Sequence, residues 1–169
     1  HESMMLAFLA APAANARWLH FGGHETLASY GMTLDLGDLD RMGERKLLQM
    51  LAAHVPESHV RFLRASLPAL QVGSYLLAHA GADATAPLTA QPWDAVLWGN
   101  AGLIAPDGLT LIHGHYVTAA PDCRSHSIGI DTGAYATGRL TALRLLNGQV
   151  PAVLTTNGED LFKNLALSE

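Results

Sequence analysis

An α/β protein built as a two-sheet sandwich with helices outside is the fold class this sequence predicts, and three observations carry it. Helix-period apolar patterns recur through the first 67 residues. Two apolar strands, Gly73 to Gly81 and Leu109 to Tyr116, each finish in histidine beside glycine. A late pair of strands meets at Asn147-Gly148, a strong hairpin signal.

The elements follow in chain order. Met4, Met5, Leu6, Phe8 and Leu9 predict a helix from Glu2 to about Ala11 that stops near Pro12. Its apolar start does not read as a secretion signal, because an acidic residue rather than a basic region precedes it. Trp18 to Gly23 reads as a loop, with Gly22-Gly23 permitting close approach of a ligand, and His24 as a turn residue or a substrate contact. Thr26 to Tyr30 predicts a short helix stopped by Gly31. Leu36 to Arg41 predicts a solvated loop running into a helix, and Leu47 to Val55 a helix ended at Pro56. From His59 to Leu67 an amphipathic helix is expected, with Val60, Phe62, Leu63 and Leu67 inward and Arg61 and Arg64 outward; His54 and His59 flank the proline at the surface.

Leu70 to Val72 and Tyr75 to Ala78 are strands meeting at Gly73-Ser74, the second delivering His79. Ala82 to Pro92 is small, polar and proline-bearing, a loop at the same rim whose length suits a lid or substrate-selecting segment. Trp93 to Trp98 predicts a helix, with Trp98 either core or substrate platform. The run Leu109 to His113 is apolar and partly β-branched, a buried strand that brings His115 to a sheet edge, where α/β proteins bind ligands. Pro121 to Ser127 is a turn. Ile128 to Ile130 is a strand entering Asp131-Thr132-Gly133, where Asp131 either orients a ligand histidine or caps the turn, the turn being the simpler reading. Leu140 to Leu146 and Val150 to Thr156 form the late hairpin, and Asp160 to Leu167 a closing helix.

Composition bounds the function. The 169 residues suit one domain, 1–169, with no repeat or linker, and 49% hydrophobic residues suffice for a buried sheet. A net charge of −5 and a pI near 5.9 give no basic footprint, which argues against a nucleic-acid partner. No apolar run is long enough to span a bilayer. The single Cys123 cannot form an internal disulfide and fits a cytoplasmic location. Catalysis by that thiol has only His126 nearby to support it. Two strands ending in histidine beside glycine would set two neutral imidazoles at one rim, and manganese, iron and zinc accept such ligands. A single such histidine is more often a hydrogen-bonded structural residue.

The order of motifs adds a resemblance. His1-Glu2, then Phe21-Gly22-Gly23, His79-Ala80-Gly81, Leu97-Trp98, His113-Gly114-His115, Ile130-Asp131-Thr132-Gly133-Ala134-Tyr135 and Gly138-Arg139-Leu140-Thr141-Ala142 recur in that sequence. Together they resemble the C-terminal two-thirds or so of the bacterial phosphoprotein-phosphatase-type, calcineurin-like metallophosphoesterases. That group includes lambda protein phosphatase and symmetrical diadenosine tetraphosphatase. The resemblance implies the four-layer fold of that family and hydrolysis of phosphoserine, phosphothreonine or a dinucleoside polyphosphate. Two divalent ions, manganese first and iron or zinc as alternatives, would clamp the phosphate and activate a bridging hydroxide for in-line attack.

By the same resemblance, His1-Glu2 looks like the second half of the family's Gly-Asn-His-Glu segment, which implies that His1 acts as general acid, while His79 and His115 hold metal. The family's two leading aspartate motifs are expected upstream of His1, with the opening strands that carry them; without those strands, sheet edges and apolar faces would stand uncovered. Leu36-Gly37-Asp38-Leu39-Asp40-Arg41 imitates one of these motifs but is a residue short and follows His1.

Asn100 stands where the family has a phosphate-binding arginine, so the substrate contact expected there is an amide without charge. Arg124 is the nearest arginine able to stand in, though a surface role is the plainer reading. That departure motivates the alternative function, a non-catalytic member that binds a phospholigand or a protein partner.

Overall fold

The structure, a computed structural model, describes residues 1–146, 151–156 and 163–164. The described chain is mixed α/β. It packs as two compact units, His1–Ser66 and Leu67–Glu169.

The first unit is helical: α1 (Glu2–Ala10), a 3-10 segment (Ala13–His20), α2 (Gly23–Ser29), α3 (Leu36–Arg41), α4 (Glu44–His54) and α5 (Glu57–Arg64). Pro12 cannot donate a backbone hydrogen bond, so α1 ends before it, and the Asn15 amide caps the open end by donating to the Ala7 carbonyl at 3.1 Å and the Ala11 carbonyl at 2.9 Å. The core gathers Phe8, Trp18, Leu19, Leu27, Leu47 and Leu51, all buried. Trp18, expected in a loop, therefore sits inside, its ring tilted against Phe8 at 5.0 Å.

Two expectations in this unit change. Leu36–Arg41 is itself the helix, because Asp35 and Asp38 close a reciprocal capping box at 2.8 and 3.0 Å. The Asp35 backbone N–H, and next the Arg41 guanidinium, hold the Asp38 carboxyl below the usual carboxylate range, so this aspartate is committed to the helix end. Phe62 and Leu67, expected inward, are 73% and 72% exposed. Phe62 lies about 200° around the helix from the buried Val60, and Leu67 follows the end of α5.

The second unit holds β1 (Ala69–Val72), β2 (Tyr75–Ala78), α6 (Trp93–Trp98), β3 (Thr110–His113), β4 (Asp122–Cys123), β5 (Ser127–Gly129), the single turn α7 (Ala134–Thr137), β6 (Thr141–Arg144), β7 (Ala152–Thr155) and β8 (Lys163–Asn164). Strand order in the larger sheet is β1-β2-β3-β5-β4. Its centre is parallel, with Leu76 opposite Leu111 and Ile112 opposite Ile128, and antiparallel strands β1 and β4 form its edges. The central strands are nearly all apolar, as burial on both faces demands: Leu76, Leu111, Ile112 and Ile128 are buried. Residues following three parallel strands consequently leave the sheet at the same edge.

A second sheet pairs β6 with β7 antiparallel, as the late hairpin required, while its turn at Asn147-Gly148 lies outside the described residues. The closing helix is corrected in part: Lys163–Asn164 pairs with Val153 and Ala152 as strand β8, because the free edge of β7 offers main-chain partners that a helix would leave unpaired. The rest of Asp160 to Leu167 lies outside the described residues. Thr132 and Thr141, both buried, join the two sheets through hydroxyls 2.8 Å apart.

The segment Ala82 to Pro92 is a loop, as expected, but it is tied down. The Gln91 amide accepts from Asp83 N–H at 2.8 Å and donates to the Asp83 and Ala86 carbonyls, each at 2.9 Å. The Thr85 hydroxyl, then its backbone N–H, lowers the Asp83 carboxyl below its ordinary range. A depressed carboxyl stabilises the fold above its unfolded pKa and stops doing so as pH falls through the folded one. Protection of this loop's amides, taken as the intrinsic exchange rate relative to the observed one at each pH, should accordingly be flat above about pH 4 and fall in stronger acid, and Asp83→Asn should remove that acid-side change. Among the described residues, no helix is long and apolar enough to cross a membrane.

Candidate functional site

His79 follows β2 and His115 follows β3 by two residues. The ladder between these parallel strands continues past their ends, since the Gly114 N–H donates to the His79 carbonyl at 2.9 Å. The two imidazoles emerge together, ring centroids 5.1 Å apart. They line one cleft of about 390 Å³, joined there by Asp131 after β5 and by Arg139, just before β6.

His115 is held in an uncommon backbone state. Its φ is +68°, and the Tyr116 N–H reaches back to the Gly114 carbonyl at 2.8 Å, closing a three-residue γ-turn with His115 at its centre. A non-glycine residue at positive φ costs of order 1 kcal/mol or more and persists only where neighbours hold it. The neighbours are visible. His113 is buried, and its Nδ1–H donates to the same Gly114 carbonyl at 3.0 Å, which leaves Nε2 as a buried atom without a hydrogen-bond partner. Gly129 makes room for that ring: a Cβ there would stand 3.1 Å from His113 Cε1.

Around His115 stand the rings of His79, Tyr116 at 5.2 Å and Trp98 at 5.9 Å, all in edge-type arrangements. Tyr116 is fixed in turn by its hydroxyl, which donates to the Trp98 carbonyl at 3.3 Å. Gly99 is what admits that hydroxyl. It adopts φ +70°, and a Cβ at this position would run into the Tyr116 oxygen. Gly99→Ala should lower the thermal midpoint, and unchanged melting would show the contact to be dispensable.

On the opposite side, Gly81 lies where a Cβ would be 2.6 Å from the Gly102 carbonyl oxygen and 2.9 Å from Gly99 Cα. The glycine after His79 therefore lets the strand end press against the turn following α6. That explains the histidine–small–glycine pattern in terms of packing.

The other expected site residues fall as follows. Asp131 takes the turn role, its Oδ1 accepting from Gly133 N–H at 2.9 Å, while it also lines the cleft. Asn100 is exposed after Gly99 and is not among the residues lining the cleft. Trp98 is 39% exposed and presents its edge to His115, so it belongs to the rim rather than to the core. His1 belongs to the first unit, at the start of α1, where it lines a separate cavity of about 590 Å³ with Trp18, Phe21, Tyr30 and His59. His24 is exposed in α2.

Two further candidates are spoken for. Arg124 donates through Nε and Nη2 to Asp122 Oδ2, at 3.0 and 2.7 Å, and lines another cavity. Burial, and secondarily the Asp122 carboxylate, pushes the Cys123 thiol up, the opposite of nucleophile activation.

Arg139, in Gly138-Arg139-Leu140-Thr141, and His113, immediately before Gly114-His115, join the site without a local sequence signal that assigns either to it.

The donor chemistry suits a first-row divalent ion as far as it goes, with two imidazoles side by side at a cleft. Two ligands are a partial set. Among the described residues, no three His, Cys, Asp or Glu side chains come together in a way that could hold a metal ion. Compared with known proteins, the chain matches no family model and no curated protein.

Proposed function

We propose that the protein is a metal-dependent phosphoesterase of the phosphoprotein-phosphatase type, acting on phosphoserine or phosphothreonine in proteins or on a dinucleoside polyphosphate. The observation that carries the reading is the pair of imidazoles, His79 and His115, delivered 5.1 Å apart from the ends of adjacent parallel strands into one cleft. Paired ligands on rigid strands, one of them at a strained φ that its neighbours enforce, are what a preorganised metal site requires. In this reading the two sheets and their helices belong to the four-layer metallophosphoesterase fold.

His79 and His115 would hold the ion, manganese first and iron or zinc as alternatives, with the second ion of the pair depending on donors beyond these two. Bound divalent ions supply charge neutralisation for the phosphate oxygens and lower the pKa of water. The chain's own part is to fix the imidazoles. His113 and Tyr116 hold the turn that aims His115, and Gly81 seats the strand that carries His79.

Hydrolysis of an aryl phosphate, measured with manganese, after chelation and after manganese is returned, tests the reading. Turnover that vanishes with chelator and recovers with metal is the expected result. A protein that binds no manganese and shows no turnover would leave the non-catalytic phospholigand module in its place.

A further inference from the structure

Arg139 is unlike every other arginine that reaches a cavity in this unit. It lines the cleft of His79 and His115, it is half-buried, and among the described residues it has no acidic partner within ion-pair distance. Arg124, which lines another cavity of this unit, is neutralised by Asp122.

The position of Arg139 is built rather than incidental. Gly138, at φ +70°, closes the α7 turn and directs the chain into β6. The Arg139 N–H donates to Thr137 Oγ1 at 3.1 Å, and its carbonyl accepts from Thr132 Oγ1 at 2.8 Å. That same Thr132 hydroxyl meets the buried Thr141, so the backbone of Arg139 is tied to the joint between the two sheets. Among the described residues its side chain is then held by the bond from Nη1 to the Ala119 carbonyl at 2.8 Å.

A carbonyl orients a guanidinium without neutralising it. No other described residue takes up the remaining N–H donors of the fork, which leaves them and the positive charge for the cleft. Asp131, the carboxylate in the same cleft, already spends Oδ1 on the Gly133 N–H. The geometry points to Arg139 as the phosphate clamp of this site, binding the phosphoryl oxygens of a phosphate monoester or anhydride in the role that Asn100 is chemically unable to fill. The inference rests on the phosphoesterase reading for its substrate. A planar fork held at one N–H matches two phosphate oxygens and loses little freedom on binding, which an ammonium or an amide does not reproduce.

The test is the affinity for inorganic phosphate in the presence of manganese, measured by titration calorimetry, with bound manganese quantified in parallel. Arg139→Ala should weaken phosphate roughly 10- to 100-fold with manganese content unchanged. Arg139→Lys should recover part of the loss, and Arg124→Ala should bind phosphate as the unaltered protein does. In turnover, Arg139→Ala should raise KM at least as much as it lowers kcat. Phosphate affinity that is the same in Arg139→Ala, or that falls equally in Arg124→Ala, overturns the assignment, as does an unaltered protein that binds no phosphate. If phosphate binds through Arg139 but no metal-dependent turnover occurs, the phosphoesterase reading fails and the clamp stands. Turnover that is indifferent to Arg139 is the reverse case.

Discussion

His79→Ala and His115→Ala should each reduce metal-dependent phosphate-ester hydrolysis by at least about 100-fold, the upper range reached by residues that merely support a ligand. Neither change should unfold the protein. His79 is exposed and His115 half-buried, and the cores of both units lie elsewhere. Loss of activity with an unchanged melting profile separates a ligand from a structural histidine. The two variants should also be nearly equivalent, since removing either ligand breaks the same pair. A double variant scarcely worse than the singles would show that the imidazoles act as one unit. Retention of full activity by either single variant would remove it from the site.

The largest effect on stability is expected at Phe8. It is wholly buried, stacks at 5.0 Å against a Trp18 that is itself 2% exposed, and lies among Leu19, Leu27, Leu47 and Leu51. Phe8→Ala removes most of an aromatic ring from a place that several helices enclose, and such a change costs about 3–5 kcal/mol. A domain's whole stability is about 5–15 kcal/mol. Chemical denaturation should therefore show the helical unit unfolding at distinctly lower denaturant, with the midpoint moved and the slope kept. A loss under about 1 kcal/mol would mean that the helices close over the gap or that this packing contributes little.

What could be read in advance, and what could not, follows from the range of the forces involved. Strand ends at His79 and His115, the helix Trp93–Trp98 and the glycine stops at Gly31 and Gly73 are set by neighbours in sequence, through apolar period and permitted torsions, and they stood in the sequence. Lys163–Asn164 lacked such a local signal, because its strand is made by the open edge of β7. The inward placement of Phe62 and Leu67 failed for a geometrical reason, a half-turn of helix and an early helix end, which hydrophobicity alone does not report.

The site divides in the same way. The two metal-ligand candidates were legible because each closes a strand. Arg139 was not, because its claim depends on a carbonyl twenty residues away at Ala119 and on Arg124 being engaged by Asp122, and neither fact is visible in a linear pattern. His113 is hidden in the sequence for the opposite reason. It reads as one more residue of a buried strand, and only its bond to the Gly114 carbonyl gives it a part in holding His115.

Manganese content after exhaustive dialysis, for the unaltered protein and for the variant carrying both His79→Ala and His115→Ala, tests the central claim most directly. Bound manganese in the first and its loss in the second is the predicted result. Equal manganese in both, or none in either under saturating conditions, would contradict a metal centre built on this histidine pair.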